Sequence, residues 1–260
     1  MMVGRELNDK FPVYKRKIGG EVFRAKNIRT SKIEVNEISV HAGEIVGLAG
    51  LMGAGRTELA RAIFGADRVI KAEVFVDGKR VRVGSVGEAI KHGIGYITED
   101  RKRDGLALNM NVERNINLAH IPDLCRMGFV NEAKAKENAE KYVSSLRIKT
   151  PSLLQMLNKL SGGNQQKVVL AKWLCNDIKV LIFDEPTRGI DVGAKFEVYE
   201  LMNRLSDQGV AIIMISSELP EILGMSDRIV VMHNGSISGE LSREEADQRK
   251  ILYYAAGLNL

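Results

Sequence analysis

A strand, a glycine-rich turn and a helix follow one another at residues 46–57, and this succession constrains the fold of the chain more than any other feature. The segment reads VGLAGLMGAGRT: an apolar strand end, closely spaced glycines, and an apolar-periodic run that begins at Thr57. Glycines let the backbone turn so that its N–H groups surround phosphate oxygens at the positive end of a helix. The spacing matches the phosphate-loop pattern G-x-x-x-x-G-K-[ST] except that Arg56 replaces the lysine. The alternative for this stretch, taken alone, is a tight turn before a helix.

A buried strand that ends in two acids lies further along, at VLIFDEP (180–186). In open α/β folds, the carboxyl edge of the parallel sheet faces the crevice that binds ligands. We therefore predict that Asp184 holds Mg²⁺ through water, that Thr57 binds it directly, and that Glu185 polarises an attacking water. The alternative, an acidic helix cap after a strand, is disfavoured by the phosphate loop upstream.

Continuous apolar strands that alternate with helices predict an α/β fold with a sheet covered on both faces. Strands are predicted at 22–25, 33–40, 45–48, 73–76, 81–83, 94–97, 179–183, 210–215, 229–232 and 236–239, with hairpin turns at 77–78 and 234–235. Helices are predicted from Thr57 and at 86–91, 112–120, 131–146, 165–174, 194–205, 218–223 and in the tail from Ser242. Strand patterns stop between Thr98 and Asn176, which predicts an inserted helical subdomain.

The composition of the chain limits its expected cellular location and binding partners. The 260 residues are 45% hydrophobic and 27% charged, with no apolar run of membrane-spanning length and no apolar signal segment at the start, so a globular cytosolic protein is expected. The net charge of +5 permits an anionic partner, but an aromatic content of 5% gives no stacking platform, and nucleic acid is not expected. Cys125 and Cys175 lack metal or redox spacing and are expected to be ordinary reduced thiols.

The stretch LSGGNQQK (160–167) is the most specific in the chain. Ser161 is predicted to cap a helix, and Gly162 and Gly163 to let its backbone approach an anion. With the phosphate loop before it and DEPTRGID after it, this stretch resembles the signature of the ABC transporter ATPases. The resemblance covers about Glu21 to Glu240 and implies a P-loop NTPase fold of the ABC type, with an antiparallel β-subdomain and an inserted helical subdomain at about 98–176. Residues 1–20 are then a linker or the end of a preceding domain, and residues 241–260 a C-terminal helical tail.

The resemblance also implies ligands and site residues. ATP or ADP with Mg²⁺ would be bound, and each signature motif would contact the γ-phosphate held by the loop of a facing ATPase domain in a head-to-tail dimer. The implied nucleotide-binding residues are Gly50, Leu51, Met52, Gly53, Ala54, Gly55, Arg56, Thr57, Glu58, Ser161, Gly162 and Gly163. The implied metal ligands are Thr57, Asp184 and Glu99, and the implied catalytic residues are Glu185, Glu99 and Ser217.

Four motifs are similar in sequence to the second ATPase domain of tandem monosaccharide importers of the ribose, galactose and xylose kind: GLMGAGRTEL, YITEDRKRDGL, LSGGNQQKVVLAKWL and DEPTRGIDVGAK. The similarity implies an ATPase at the cytoplasmic face of the membrane that drives sugar uptake through a permease, with a periplasmic sugar-binding protein as an indirect partner. Residues 2–12 look like the end of a preceding domain, so a longer protein is expected. Residues 99–113 are expected to dock on the permease, with exposed charge beside Leu106 and Leu108.

Departures from the family pattern leave the activity open. Arg56 replaces the lysine, Glu99 stands where a glutamine is expected, Ser217 stands at the position of the switch histidine, and residues 29–33 lack the aromatic that stacks on adenine. Each alone could be a tolerated substitution, but together they predict weak or absent hydrolysis by the isolated chain. The alternatives are a non-catalytic or regulatory ATP-binding module and a soluble ABC protein of DNA repair or translation.

Overall fold

In a computed structural model, which describes Phe11 and residues 16–258, strands and helices alternate along most of the chain. The strands are β1 (Glu21–Arg29), β2 (Glu34–His41), β3 (Ile45–Gly50), β4 (Lys71–Val76), β5 (Lys79–Val81), β6 (Ile94–Ile97), β7 (Cys125–Arg126), β8 (Phe129–Val130), β9 (Val180–Asp184), β10 (Ala211–Ile215), β11 (Arg228–His233) and β12 (Ser236–Ser242). The helices are α1 (Arg56–Ile63), α2 (Val86–Lys91), α3 (Val112–Asn117), α4 (Ile121–Leu124), α5 (Glu132–Ser145), α6 (Gly162–Leu174), α7 (Val192–Asp207), α8 (Leu219–Met225) and α9 (Gln248–Ala255).

The chain divides into two compact units. The first contains the described residues up to Tyr96, together with Lys179–Thr187 and the chain from Val192 onwards. The second contains Ile97–Ile178 and Arg188–Asp191. Within the range that the structure describes, no helix is long and apolar enough to cross a membrane.

A six-stranded sheet in the order β12-β11-β3-β10-β9-β6 forms the centre of the first unit. Strands β11, β3, β10 and β9 are parallel neighbours, and β12 is antiparallel to β11. Every residue of β9 and β10 is buried, as the uninterrupted apolar runs predict for strands covered on both faces. Because parallel strands point the same way, β3, β9 and β10 end at one edge of the sheet, with Asp184 paired in register with Ile215.

The predicted antiparallel subdomain is a four-stranded sheet in the order β2-β1-β4-β5. Asp77 and Gly78 both have positive φ and form the predicted two-residue turn between β4 and β5. The strand after this turn is Lys79–Val81, so the prediction of 81–83 was wrong by two residues. The fold class expected from the sequence, an α/β core with an antiparallel sheet and a helical insertion, is confirmed.

The second unit is mainly helical, with a π-helical turn at Arg101–Gly105 and a 3₁₀ turn at Leu157–Lys159. Asn111 and Asn131 cap α3 and α5, because their side chains accept hydrogen bonds from the backbone N–H groups of Arg114 and Lys134. In the first unit, the start of β9 lies beside the start of β6. There the carbonyl of Gly93 accepts hydrogen bonds from the N–H groups of Lys179 and Val180, at 2.8 and 3.0 Å.

Several predictions about the second unit and the tail were wrong. Strands β7 and β8 form a hairpin in a region predicted to have none, because Met127 and Gly128 both adopt positive φ in a tight turn. The predicted helix 112–120 is shorter and is followed by a separate helix with Pro122 in its first turn. Strand β12 runs to Ser242, and the tail becomes helical only after the Asp247 cap.

Two residues of the predicted N-terminal linker pack onto the first unit. Phe11 is buried, with its ring centroid 5.2 Å from that of Tyr199. Arg16 donates to Asp227 at 2.8 Å and its side chain is only 2% exposed. Residues 1–10 and 12–15 lie outside the described residues, so the domain boundary proposed there stays a prediction.

Candidate functional site

The predicted phosphate loop connects β3 to α1 at the carboxyl end of a buried strand. β3 ends at Gly50, and α1 begins at Arg56 after Gly55, whose φ is +101°. An ideal Cβ on Gly50 would lie 2.6 Å from the carbonyl oxygen of Met232, and one on Gly55 would lie 2.8 Å from Cγ2 of Ile33. Neighbouring atoms exclude a side chain at both positions, and the backbone conformation disfavours one at Gly55 as well.

The apex of this loop faces solvent. Met52 is 98% exposed and Leu51 is 51% exposed, while the N–H group of Ala54 donates to the carbonyl of Leu51 at 3.0 Å and closes the turn. Gly55 has no side chain to cap α1, so no side-chain cap occupies the N–H groups of its first turn. The structure places all nine predicted loop residues in the first unit: Gly50, Leu51, Met52, Gly53, Ala54, Gly55, Arg56, Thr57 and Glu58.

Asp184, at the end of β9, is bonded by two hydroxyl groups. Oγ1 of Thr57 donates to its Oδ1 at 3.3 Å, and the hydroxyl of Tyr96 donates to its Oδ2 at 2.7 Å. The Asp184 side chain is fully buried, and burial raises its pKa, although the two hydroxyls and the charge of Arg56 act in the opposite direction. A carboxylate beside a hydroxyl is the kind of oxygen pair that hard divalent cations prefer. The two residues predicted to share a metal are therefore in contact.

Glu185 follows Asp184 in a left-handed backbone conformation, with φ at +49°. Such a conformation costs about 1–3 kcal/mol in a non-glycine residue and is frequent at functional sites. Its N–H group donates to the carbonyl of Ile215 at 3.0 Å, and its Oε2 accepts a hydrogen bond from Oγ of Ser217 at 3.1 Å. Burial raises the pKa of Glu185, the direction that suits a general base. Two of the predicted catalytic residues thus lie together at the edge where β9 and β10 end.

Arg56 is directed at the same edge. Its Nη1 donates to the carbonyl of Ser216 at 2.8 Å, immediately after β10. Its charge also favours the ionised forms of Asp184 and Glu185, since it acts to lower the pKa of each. The arginine that stands in place of the expected lysine is therefore bonded to the backbone directly after β10.

The signature stretch belongs to the second unit, where Ser161, Gly162 and Gly163 begin α6. Ser161 occupies the N-cap position, but its side chain makes no capping hydrogen bond, so that prediction was wrong. Its hydroxyl instead accepts from Nδ2 of Asn164 at 3.0 Å. A Cβ on Gly162 would lie 2.9 Å from Nη2 of Arg101, the flexible end of a long side chain, so packing alone does not require glycine here.

Glu99 also belongs to the second unit, where its carboxylate forms an ion pair with Arg188. Nη1 of Arg101 donates to the carbonyl of Arg188 at 3.2 Å. The metal and catalytic roles suggested for Glu99 stay predictions, because it is not in the unit that contains Thr57 and Asp184. Leu106, named beside the exposed charge of the predicted docking segment, is buried at 8% exposure after the π-helical turn, and docking of residues 99–113 stays a prediction.

Sequence reasoning missed two contacts of this site. Tyr96 was assigned to a strand only, although a buried tyrosine needs a partner for its hydroxyl, and this was the available signal. The second is the carbonyl of Ser216, a backbone group for which the sequence carries no signal.

Comparison with known proteins gives consistent results. A protein-family model described as ABC transporter matches residues 34–188. The chain is 55% identical to the xylose import ATP-binding protein XylG of Thermoanaerobacter pseudethanolicus, over 99% of this chain and 53% of that protein. It is 51% identical to the ribose import ATP-binding protein RbsA of Oceanobacillus iheyensis, over 99% of this chain and 52% of that protein. The chain thus spans about half the length of the curated relatives it matches.

Solved structures show the same fold. An ATP-binding cassette of an ABC transporter in its ADP conformation superposes with a TM-score of 0.74 at 21% identity, covering 91% of this chain and 99% of that one. A dimeric cassette bound to ADP and Pi superposes with a TM-score of 0.69 at 19% identity, covering 85% of this chain and 98% of that one.

Proposed function

Because this chain belongs to the ABC transporter family, we propose that it is an ATP-binding part of a transporter that imports a monosaccharide. The names of its relatives, xylose and ribose import proteins, support a pentose or similar sugar as the cargo. The chain would work at the cytoplasmic face of the membrane, bound to permease subunits, and a periplasmic sugar-binding protein would deliver the cargo.

One observation supports nucleotide binding above all: the glycine loop, the Thr57–Asp184 pair and Glu185 lie in one unit at one edge of the sheet. The loop N–H groups and the N-terminus of α1 would bind the phosphates of ATP or ADP, and Arg56 would add positive charge. The hydroxyl of Thr57 and the carboxylate of Asp184 would hold Mg²⁺, which fits this set of oxygen donors. When bound, the ion would neutralise phosphate charge.

Glu185 would orient a water and accept its proton, since burial raises its pKa towards that of a useful base. Ser217, which donates to Glu185, is too short to stabilise γ-phosphate charge as a histidine would. Ile33 packs beside Gly55, and residues 29–33 contain no aromatic side chain. Stacking on the base would be weak, so ATP and GTP should bind with similar affinity.

Calorimetry with ATP and ADP tests this proposal. Thr57→Ala should weaken binding at least tenfold in the presence of Mg²⁺ and less than threefold in its absence, because the variant removes a metal ligand. Ser238→Ala is a matched control, since Ser238 is in the same unit and its hydroxyl donates to the carbonyl of Val231 at 3.1 Å. Absence of ATP and ADP binding at millimolar concentration with Mg²⁺ would refute the proposal.

A non-catalytic nucleotide-binding module is the second candidate function. It is favoured by Arg56, which contacts the Ser216 carbonyl, and by Ser217 in place of a histidine. In a head-to-tail pair, Ser161, Gly162 and Gly163 would complete the site of a facing ATPase domain, while Glu185 would serve only the site of this chain. Slow or absent turnover by the isolated chain, despite tight binding, supports this candidate; turnover comparable to that of active cassettes rejects it.

The assignment of roles has its own test in the complex with a facing domain. Ser161→Arg should lower turnover more than Glu185→Gln, because the arginine brings bulk and charge into the productive site. If Glu185→Gln abolishes turnover and Ser161→Arg leaves it intact, the assignment is wrong.

A further inference from the structure

A buried carboxylate near the candidate site has no part in the function proposed above. Glu221, in the first turn of α8, is 1% exposed. Burying a carboxylate is costly unless hydrogen bonds and positive charge compensate. Its Oε1 accepts from the hydroxyls of Thr187 and Tyr199, both at 2.6 Å, and from Nζ of Lys195 at 3.2 Å.

The second carboxylate oxygen of Glu221 contacts the segment after β10, which contains Ser217. Its Oε2 accepts from Oγ of Ser216 at 2.6 Å, and the same hydroxyl accepts from the N–H group of Glu218 at 3.0 Å. Ser216 is also the residue whose carbonyl accepts from Arg56. The Glu221 carboxylate therefore holds the segment after β10. In this segment Ser216 accepts from Arg56, and the next residue, Ser217, donates to Glu185.

The hydrogen bond from Thr187 links Glu221 to the segment after β9. Thr187 is 2% exposed and lies two residues after Glu185, separated from it by Pro186. Glu185 itself has a positive φ and needs its surroundings to hold that conformation. Glu221 thus connects the segments that follow β9 and β10, on both of which the geometry of Glu185 depends.

We infer that Glu221 is a positioning residue of the nucleotide site, which fixes Thr187 and Ser216 and so sets where Glu185, Ser217 and Arg56 meet. The inference rests on the proposed nucleotide-binding function. Glu221 does not contact the loop Gly50–Gly55 in any of these bonds. Its loss should therefore reduce turnover more than nucleotide affinity.

Amide hydrogen exchange of the full chain tests the positioning without nucleotide. Glu221→Ala should accelerate exchange of the Glu185 and Glu218 N–H groups at least tenfold, because the two segments lose their shared anchor. Glu221→Gln should change it less than threefold, since an amide can still accept from Thr187 and Tyr199 and donate to Ser216. Glu44→Ala is a matched control: Glu44 is 3% exposed and ion-paired with Arg228 at 2.7 Å in the same unit, and should leave these amides within twofold.

Single-turnover hydrolysis, where the natural chain shows it, and the affinity for Mg-ADP provide the second readout. Glu221→Ala should lower single-turnover hydrolysis at least tenfold with the Kd of Mg-ADP within threefold, and Glu221→Gln should restore most of the rate. Equal effects of Glu44→Ala and Glu221→Ala on the two amides, or unchanged exchange in Glu221→Ala, would overturn the inference. A natural chain that binds no nucleotide would instead refute the proposed function, so the two failures are distinguishable.

Discussion

Replacement of Arg56 by lysine should change the stability of the free chain and its affinity for ATP in opposite directions. Arg56 donates to the Ser216 carbonyl at 2.8 Å, and a hydrogen bond from a charged donor is worth about 1.5–3 kcal/mol. Lysine keeps the charge but has no planar fork to hold this carbonyl, so the free energy of unfolding should fall by about 1–2 kcal/mol. Denaturant unfolding of the nucleotide-free chain measures this loss.

ATP affinity should rise in the same variant. To contact phosphates, the guanidinium of Arg56 must give up or share its bond to the carbonyl, whereas a lysine ammonium can turn towards them. Since the variant loses about 1–2 kcal/mol of this bond, removal of the competition should tighten Mg-ATP binding by about 5- to 30-fold in calorimetry. Arg56→Gln, which lacks the charge, should weaken binding.

The control for this substitution is Arg243→Lys. Arg243 also lies in the first unit and its Nη2 donates to a backbone carbonyl, that of Gly224, at 3.2 Å. This variant should lose stability without a change in ATP affinity. Weaker ATP binding by Arg56→Lys would show that the guanidinium itself binds the phosphates, and the reasoning from competition would be refuted.

Three further predictions concern groups in the second unit. Cys125 is exposed, whereas burial raises the pKa of Cys175 to about 11. A thiol reagent at pH 8 should therefore modify Cys125 rapidly and Cys175 on the order of a hundredfold more slowly until urea is added. Burial lowers the pKa of Lys172 from 10.5 to about 8, so between these pH values the unfolded chain binds more protons than the folded chain. The free energy of unfolding, compared with that of Lys172→Met, should therefore rise by about 2–3 kcal/mol from pH 8 to 10.5. Lys172→Met should also leave the Gly105 carbonyl without its 2.6 Å partner and accelerate exchange in the π-helical turn, whereas Lys167→Met, in the same helix, should not.

Local features of the sequence were sufficient to predict the centre of the fold. The runs that became β9 and β10 are apolar at every position before Asp184 and Ser216, and only strands covered on both faces bury such runs completely. The glycines of the phosphate loop were equally informative, because close neighbours and positive φ leave few other residues possible there. The Asp77-Gly78 turn was recognised for the same reason.

Contacts between distant side chains could not be predicted in this way. The bond from Tyr96 to Asp184 and that from Arg56 to Ser216 depend on which strands are neighbours, and the chain order does not specify this. The hairpin β7–β8 was missed because two-residue strands show no alternation. Its turn contains Met127 at a φ of +51°, where glycine or asparagine would have been recognised.

The hydrogen bonds to the Gly93 carbonyl have a consequence for how such a chain can change length. About eighty residues lie between the end of β6 at Ile97 and the start of β9, where the N–H groups of Lys179 and Val180 bind this carbonyl. The entropy of closing such an excursion grows by only about 0.6 kcal/mol for each doubling of its length. The free-energy cost of the insertion therefore depends little on its length. Helices could be added, lost or exchanged here in related proteins without disturbing the strands on either side.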